Sequence, residues 1–547
     1  MGRHANALAR DGAWSVRLMV VMAVSMAAAR VWLSYCWVLQ QVWWAPADDG
    51  LFAREAIGGA VHDQLTMAKR PGYTWFLRIV HASHMPLTVW IACVWAAAAL
   101  AVAWAVWRIG NRRRLPVAVA FILTLWCPVG FDSQIGQRAY RGSVLSPAVL
   151  LLAAGLVAAF AARGWVERLA LSTVAGVAAG CVWLMKEDAL WIVPMTAVAL
   201  LACLVRSLTG RQHRLLMAVA LLPALLLPAG ADAAARQYEL HAHGVAMLDT
   251  RTEGELAAFA GRVYRIESPD RTYKRWTTDD ALDKALNAAP DLEPLRPYLM
   301  EGMYRINHGD DKGIWGDYLT WQLRYAITAA AGGRWPSETS LQSRFANANR
   351  LLDEAEERGD FTYDDGPSPG TLVSPLPWET IRSRVLPAVA PAMAQNVWPT
   401  SWTAPRLDDH DVGTGDGALV KARYLEYVNE DERPQRHVTA AVWTMRAWRV
   451  LAVSAALWAL AGTAAALRRL RAEAFVALAF TVYAVLYTFA ECWFLVFLDG
   501  GEIWTYVVGN TMPLVVVSLA VGMALPGRCT PGGRHTLGVG RHREPVR

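Results

Sequence analysis

Residues 17–49 read RLMVVMAVSMAAARVWLSYCWVLQQVWWAPADD. An apolar run of more than twenty residues opens on an arginine and closes on Trp-Trp and then a pair of acids. About 20 apolar residues cross ~30 Å of hydrocarbon, and paired aromatics mark the water boundary. The run contains Arg30 and lacks a small-residue cleavage site, so it reads as a retained membrane helix and not a cleaved leader. Similar runs recur near 86–107, 115–131, 144–162, 169–185, 189–206, 215–231, 446–467, 474–498 and 503–525, about ten spans in all. With 54% hydrophobic residues and 26 Trp in 547, the chain is an α-helical integral membrane protein on this reading.

The arginines orient it. They cluster at Arg3–Arg17, Arg108–Arg114, Arg163–Arg168, Arg206–Arg214 and Arg468–Arg471, and again after Arg528, so that every second loop is basic. The positive-inside rule then predicts cytoplasmic termini. The long polar stretch 232–440 holds 33 acids and 23 bases, a net of −10, against +16 for the remainder. Parity puts this acidic stretch outside. Three blocks result: residues 1–231 with seven spans, a polar domain over 232–440, and residues 441–547 with three spans and a basic tail.

Helical signals dominate the polar block. TTDDALDKALNAAP (277–290) has a Thr/Asp start and a Pro stop, while DYLTWQLRYAITAAAGG (317–333) and SLQSRFANANRLLDEAEERGD (340–360) are amphipathic runs ended by glycine. The seven cysteines show no zinc spacing and no disulfide framework. The chain carries no P-loop, no dinucleotide fingerprint and no nucleophile elbow, and its arginines are topology signals, so no nucleic-acid partner is indicated.

Asp48 and Asp49 emerge on the outer face after the first span. On their own they are read as a helix cap, because Asp-Asp recurs four more times. Twenty residues later Lys69 and Arg70 put two cations in the same outer loop, against the topology rule. Lys and Arg bind phosphate oxygens by charge-assisted hydrogen bonds. An acid and a cation together at the interface suit attack on a lipid-phosphate-linked sugar: the carboxylate takes the acceptor proton and the cations stabilise the departing phosphate. Two further outer loops carry charge, Asp132, Arg138, Tyr140 and Arg141 in FDSQIGQRAYRGS, and Lys186, Glu187 and Asp188 in KEDALW. Either alone is equally an interface anchor; together they converge on one face. Arg30 and Glu491, both inside spans, are candidates for a buried pair or a cavity lining.

The order of first span, D-D-x-x-F (48–52) and K-x-P-x-Y (69–73) resembles the C-type (GT-C) glycosyltransferases, and within them the aminoarabinose-transferase and protein-mannosyltransferase type. KRPGYTWFL, QRAYRGSVL, KEDALWIVP and WQLRYAITAAAG are similar to a bacterial branch with a large outer domain after the seventh span. The resemblance implies a GT-C-like fold in the bacterial inner membrane and a polyprenyl-phosphate sugar donor. It also implies Asp48 as general base with Asp49 beside it, and Lys69 on the donor phosphate. Arg70, Arg138, Arg141 and Lys186 are the further phosphate candidates, and Tyr73, Asp132, Tyr140, Glu187 and Asp188 the other lining residues. The acceptor is a cell-envelope glycan, lipid or protein. No cofactor is called for by a motif, and the acids leave Mg²⁺ or Mn²⁺ open. A flippase of lipid-linked sugars or a binding scaffold without catalysis is the alternative.

Overall fold

The computed structural model describes residues 2–35, 37, 39, 52, 55–56, 65–110, 113–209, 213–366, 375–405, 435–497 and 503–525. Among the described residues, nine helices are long and apolar enough to cross a membrane: Arg17–Tyr35, Leu87–Ile109, Gly142–Ala161, Trp165–Met185, Ala189–Thr209, Arg214–His243, Arg436–Leu467, Ala472–Leu495 and Trp504–Ala524. Each matches a span expected from the sequence. The remaining one, 115–131, differs: it is a helix of only 12 residues, Arg114–Leu125, followed by a 3₁₀ turn at Pro128–Phe131. Twelve residues rise ~18 Å, too little for ~30 Å of hydrocarbon. Arg30 lies in the gap this leaves. Its guanidinium is fully buried, hydrogen-bonded to the Gly130 carbonyl and enclosed by Trp37, Trp126 and Phe131 at 4.9–5.5 Å. Of the two readings, a buried pair or a cavity lining, the described residues show no acid beside it: aromatic faces and one carbonyl house the charge.

Gly142–Ala161 and Trp504–Ala524 form the bundle centre, 89% and 94% buried, while the helices around them keep apolar faces outward. Small residues let the backbones approach. A Cβ on Gly522 would sit 2.8 Å from that of Ala459, where the last span crosses Arg436–Leu467. Gly72 matters most for the site. It opens the helix Gly72–Ala82, and a Cβ there would lie 2.6 Å from the Leu184 carbonyl oxygen. Gly72→Val is therefore expected to push the Lys69 loop away from Lys186–Asp188 and to lower the melting temperature in detergent by several degrees, as overpacking of ~1–3 kcal/mol predicts.

The polar block is mostly helical, with a core of its own. Its helices fall where the sequence placed them. Thr278 caps Asp279–Ala288 by accepting from Ala281 N at 3.1 Å. Leu319–Ala330 ends on Gly332 and Gly333, both at positive φ, and Glu338–Glu357 is capped by Ser337. A small antiparallel sheet, unforeseen because its strands are too short to show a period, joins β1 (Arg275–Thr278), β2 (Gly309–Asp310) and β3 (Gly313–Trp315) in the order β1-β3-β2. Arg214–His243 and Arg436–Leu467 run unbroken through the expected boundaries at 231 and 440. Phe497, just past Ala472–Leu495, inserts into the polar block's core against Trp276 at 5.2 Å.

Candidate functional site

The Lys69 loop is locked before it presents its charge. Met67 adopts a positive φ of 51°, a strained conformation for a side chain with a Cβ. The strain is held by the polar block: Thr250 N donates to the Met67 carbonyl at 2.9 Å, and Arg324 donates to the carbonyl of Thr66. Lys69 is then buried with its ammonium 5.3–5.6 Å from the ring centroids of Phe52, Tyr140 and Trp321. Phe52 belongs to the D-D-x-x-F motif, Tyr140 to the second outer loop, and Trp321 to the polar block. Asp48 and Asp49 lie outside the described residues.

Tyr140 is the hub. Arg138 stands 4.7 Å and Arg141 5.4 Å from its ring, so three cations gather around one phenol. Arg141 also pairs with buried Glu187, whose other neighbour, Arg251, approaches at 3.9 Å. Burial alone would raise the Glu187 pKa, but Arg141, Arg251 and Lys69 outweigh it and hold the carboxyl at about 2. Lys186 binds Asp188 at 2.7 Å; burial disfavours its charge, yet Asp188 and Glu491 together keep its pKa above the ordinary lysine value. Glu491 is thus a companion of Lys186 and not of Arg30. Lys69, Arg138, Tyr140, Arg141 and Glu187 are brought together.

Three candidates do other work. Arg70 turns away from the cluster: it donates to the Trp183 carbonyl at 2.8 Å, faces buried Asp249 at 3.5 Å and lies 4.8 Å over Trp183. It fastens the polar block to the membrane helices. Tyr73 is buried against Phe52 and Phe76 as packing beneath the loop. Asp132 is fully buried, accepting from Gln134 N and Thr403 N, both at 2.8 Å, and from the Thr403 hydroxyl at 3.2 Å. It staples the second outer loop to the segment leading out of the polar block.

Burial pushes Asp132 up to about 6, from ~3.9 for an unfolded aspartate. Between these values the folded state holds more protons, so its contribution to stability falls as pH rises from ~4 to ~6 and is flat above. Asp132→Asn cannot ionise and is expected to lose that slope. It also turns donors toward the Thr403 N–H, which costs ~1–3 kcal/mol. Melting temperatures at pH 5 and pH 7.5 for both proteins check this.

Arg251, Trp321, Asp249 and Asp317 complete the site and were not singled out from the sequence. Arg251 pairs with Asp317 at 3.4 Å and stands 5.2 Å from Trp321. The chain puts LDTR (248–251) and WQLR (321–324) some 180 to 250 residues from Lys69, and neither has a motif that signals the meeting. Among the described residues no group of three or more His, Cys, Asp or Glu is arranged to hold a metal ion.

No protein-family model and no curated protein matches the sequence. Among solved structures the chain is similar to ArnT from Cupriavidus metallidurans, a C-type glycosyltransferase and aminoarabinose transferase. In the apo state that structure shares 13% identity over 93% of this chain and 78% of its own, at a TM-score of 0.32. Bound to undecaprenyl phosphate it shares 12% identity over 92% and 77%, at a TM-score of 0.30. A likeness this weak leaves the chemistry to be read from the residues themselves.

Proposed function

We propose that this chain is a membrane glycosyltransferase that moves a sugar from a polyprenyl-phosphate carrier to an extracytoplasmic acceptor, a cell-envelope glycan, lipid or protein. The observation that supports it is the meeting of Lys69, Arg138 and Arg141 around Tyr140, from two outer loops, with Arg251 added by the polar block. Glu187 pairs with Arg141 and stands 3.9 Å from Arg251, which also meets Asp317 at 3.4 Å, and cations gathered at one point suit an anion. The group sits where membrane helices end, the level at which a lipid phosphate is presented. Among the described residues these cations stand together at helix ends, whereas a flippase would need charges spaced through mid-membrane.

In this reading Asp48 removes the proton from the acceptor hydroxyl as its oxygen bonds to the sugar's anomeric carbon. The bond from that carbon to the phosphate oxygen breaks, and polyprenyl phosphate leaves with the electron pair. Lys69 and Arg138, assisted by Arg141, stabilise the charge that accumulates on it. Asp49 tunes its neighbour. Arg70 and Lys186, already held by Asp249 and Asp188, position the loops and do not touch the phosphate. The site faces outward in the bacterial inner membrane, with cytoplasmic termini.

Native mass spectrometry of the detergent-purified protein with undecaprenyl phosphate tests the reading. One lipid is expected to bind, and to remain bound after EDTA treatment, because side-chain cations provide the countercharge. Failure to bind undecaprenyl phosphate at micromolar concentration would contradict it. Loss of binding on EDTA treatment would instead place Mg²⁺ or Mn²⁺ at Asp48 and Asp49.

A further inference from the structure

Four rings of the polar block are arranged in a way its core does not need. His308 and Tyr318 stack face to face, 3.8 Å apart and within 2° of parallel. Tyr304 lies 6.3–6.5 Å from His308, Tyr318 and Trp321, and within 27° of parallel to each. All four are half-buried, and Tyr304, His308 and Trp321 stand outside the hydrophobic core beneath them. Trp321 is also the ring that contacts Lys69 and Arg251. The strip therefore starts at the cation cluster and continues through Tyr304 to Tyr318 and His308.

We propose that this strip is the acceptor subsite, and that its ligand is a glycan whose pyranose rings lie against Trp321, Tyr304 and Tyr318. The proposal rests on the transferase reading and deepens it by naming the acceptor class. A sugar ring offers one flat face of C–H groups and a rim of hydroxyls. Aligned aromatic faces, electron-rich at the centre, suit the first. The rim needs donors and acceptors at the edge of the strip, and the Arg251–Asp317 pair stands there with side chains 17% and 33% exposed. A lipid tail would match the rings but waste both charges. Aromatic belts at a membrane surface have no need of parallel rings and charged edges. The donor sugar takes the place beside Lys69, and the acceptor the rings beyond Trp321.

Saturation-transfer-difference NMR tests this on the full-length protein in detergent. The probes are maltohexaose, chitohexaose and the oligosaccharides released from the bacterial envelope by mild acid. Saturation of pyranose ring protons is expected for at least one probe. It should fall at least about fivefold when Tyr304→Leu and Tyr318→Leu are combined, and persist when both become Phe, as loss of two aromatic contacts predicts. Absence of saturation with every probe, or equal saturation in the wild type and the leucine variant, would overturn the proposal and leave the strip as surface packing. The outcome is separable from the transferase reading. A glycan-binding protein that transfers nothing gives the same spectra, and a transferase whose acceptor lies elsewhere loses no signal in the leucine variant.

Discussion

Replacement of Glu187 by alanine is expected to be the most destabilising single change in the outer loops, costing about 3–5 kcal/mol. Glu187 is buried, pairs with Arg141 and stands 3.9 Å from Arg251, so its removal takes the buried acid from Arg141 and one of two acids from Arg251, which keeps Asp317. The penalty is that of uncompensated buried charge and not of a lost surface ion pair, which would be ~0–1 kcal/mol. Because Arg141 belongs to the membrane loops and Arg251 to the polar block, the polar block should loosen first. Limited proteolysis is the direct measurement, with cleavage within residues 244–366 rising strongly in the variant. The pH dependence has a definite sign. The carboxyl is held at about 2 in the fold against ~4.3 when unfolded. Its contribution is complete above ~pH 4.3 and is lost as pH falls toward 2. Wild type should therefore converge on Glu187→Ala in acid, and a constant gap across that range would show that the pairing is not what holds the block.

The second large effect is on chemistry. Lys69→Met is expected to leave the fold intact and to lower sugar transfer by about 10²–10³-fold. Its surroundings bear on the first half: Phe52, Tyr140 and Trp321 ring the ammonium and accept an unbranched thioether of similar length. The second half follows from the charge. A cation preset where phosphate charge develops is worth a few kcal/mol in a site shielded from water, and methionine supplies none of it. Unchanged melting with collapsed transfer is the expected pair of results. Unchanged melting with unchanged transfer would remove Lys69 from the chemistry.

The spans were legible because ~20 apolar residues leave a strong, local signal, and nine of the expected stretches are long helices. The tenth misled because apolarity persists through Trp126–Phe131 while the backbone turns, a break that composition does not register. Around the candidate site, the reading by charge named Lys69, Arg138, Arg141 and Glu187, which the fold brings together, but it did not separate them from residues with other partners. Arg70 sits beside Lys69 in sequence and faces Asp249, a residue 179 positions away. Asp132, named from the sequence as a lining residue, accepts from Thr403, 271 positions on. Arg251 and Trp321 were missed for the same reason: the contacts that define them are between blocks, and no local pattern encodes which block folds over which loop.

The most direct test of the whole account is the glycan profile of a deletion strain complemented with wild type or with Asp48→Asn. Mass spectrometry would follow the polysaccharide, lipid and glycoprotein fractions of the envelope. The account predicts that one sugar disappears in the deletion, returns with wild type and stays absent with Asp48→Asn inserted at normal levels. Full restoration by Asp48→Asn, or no missing sugar in any fraction of the deletion, would contradict it.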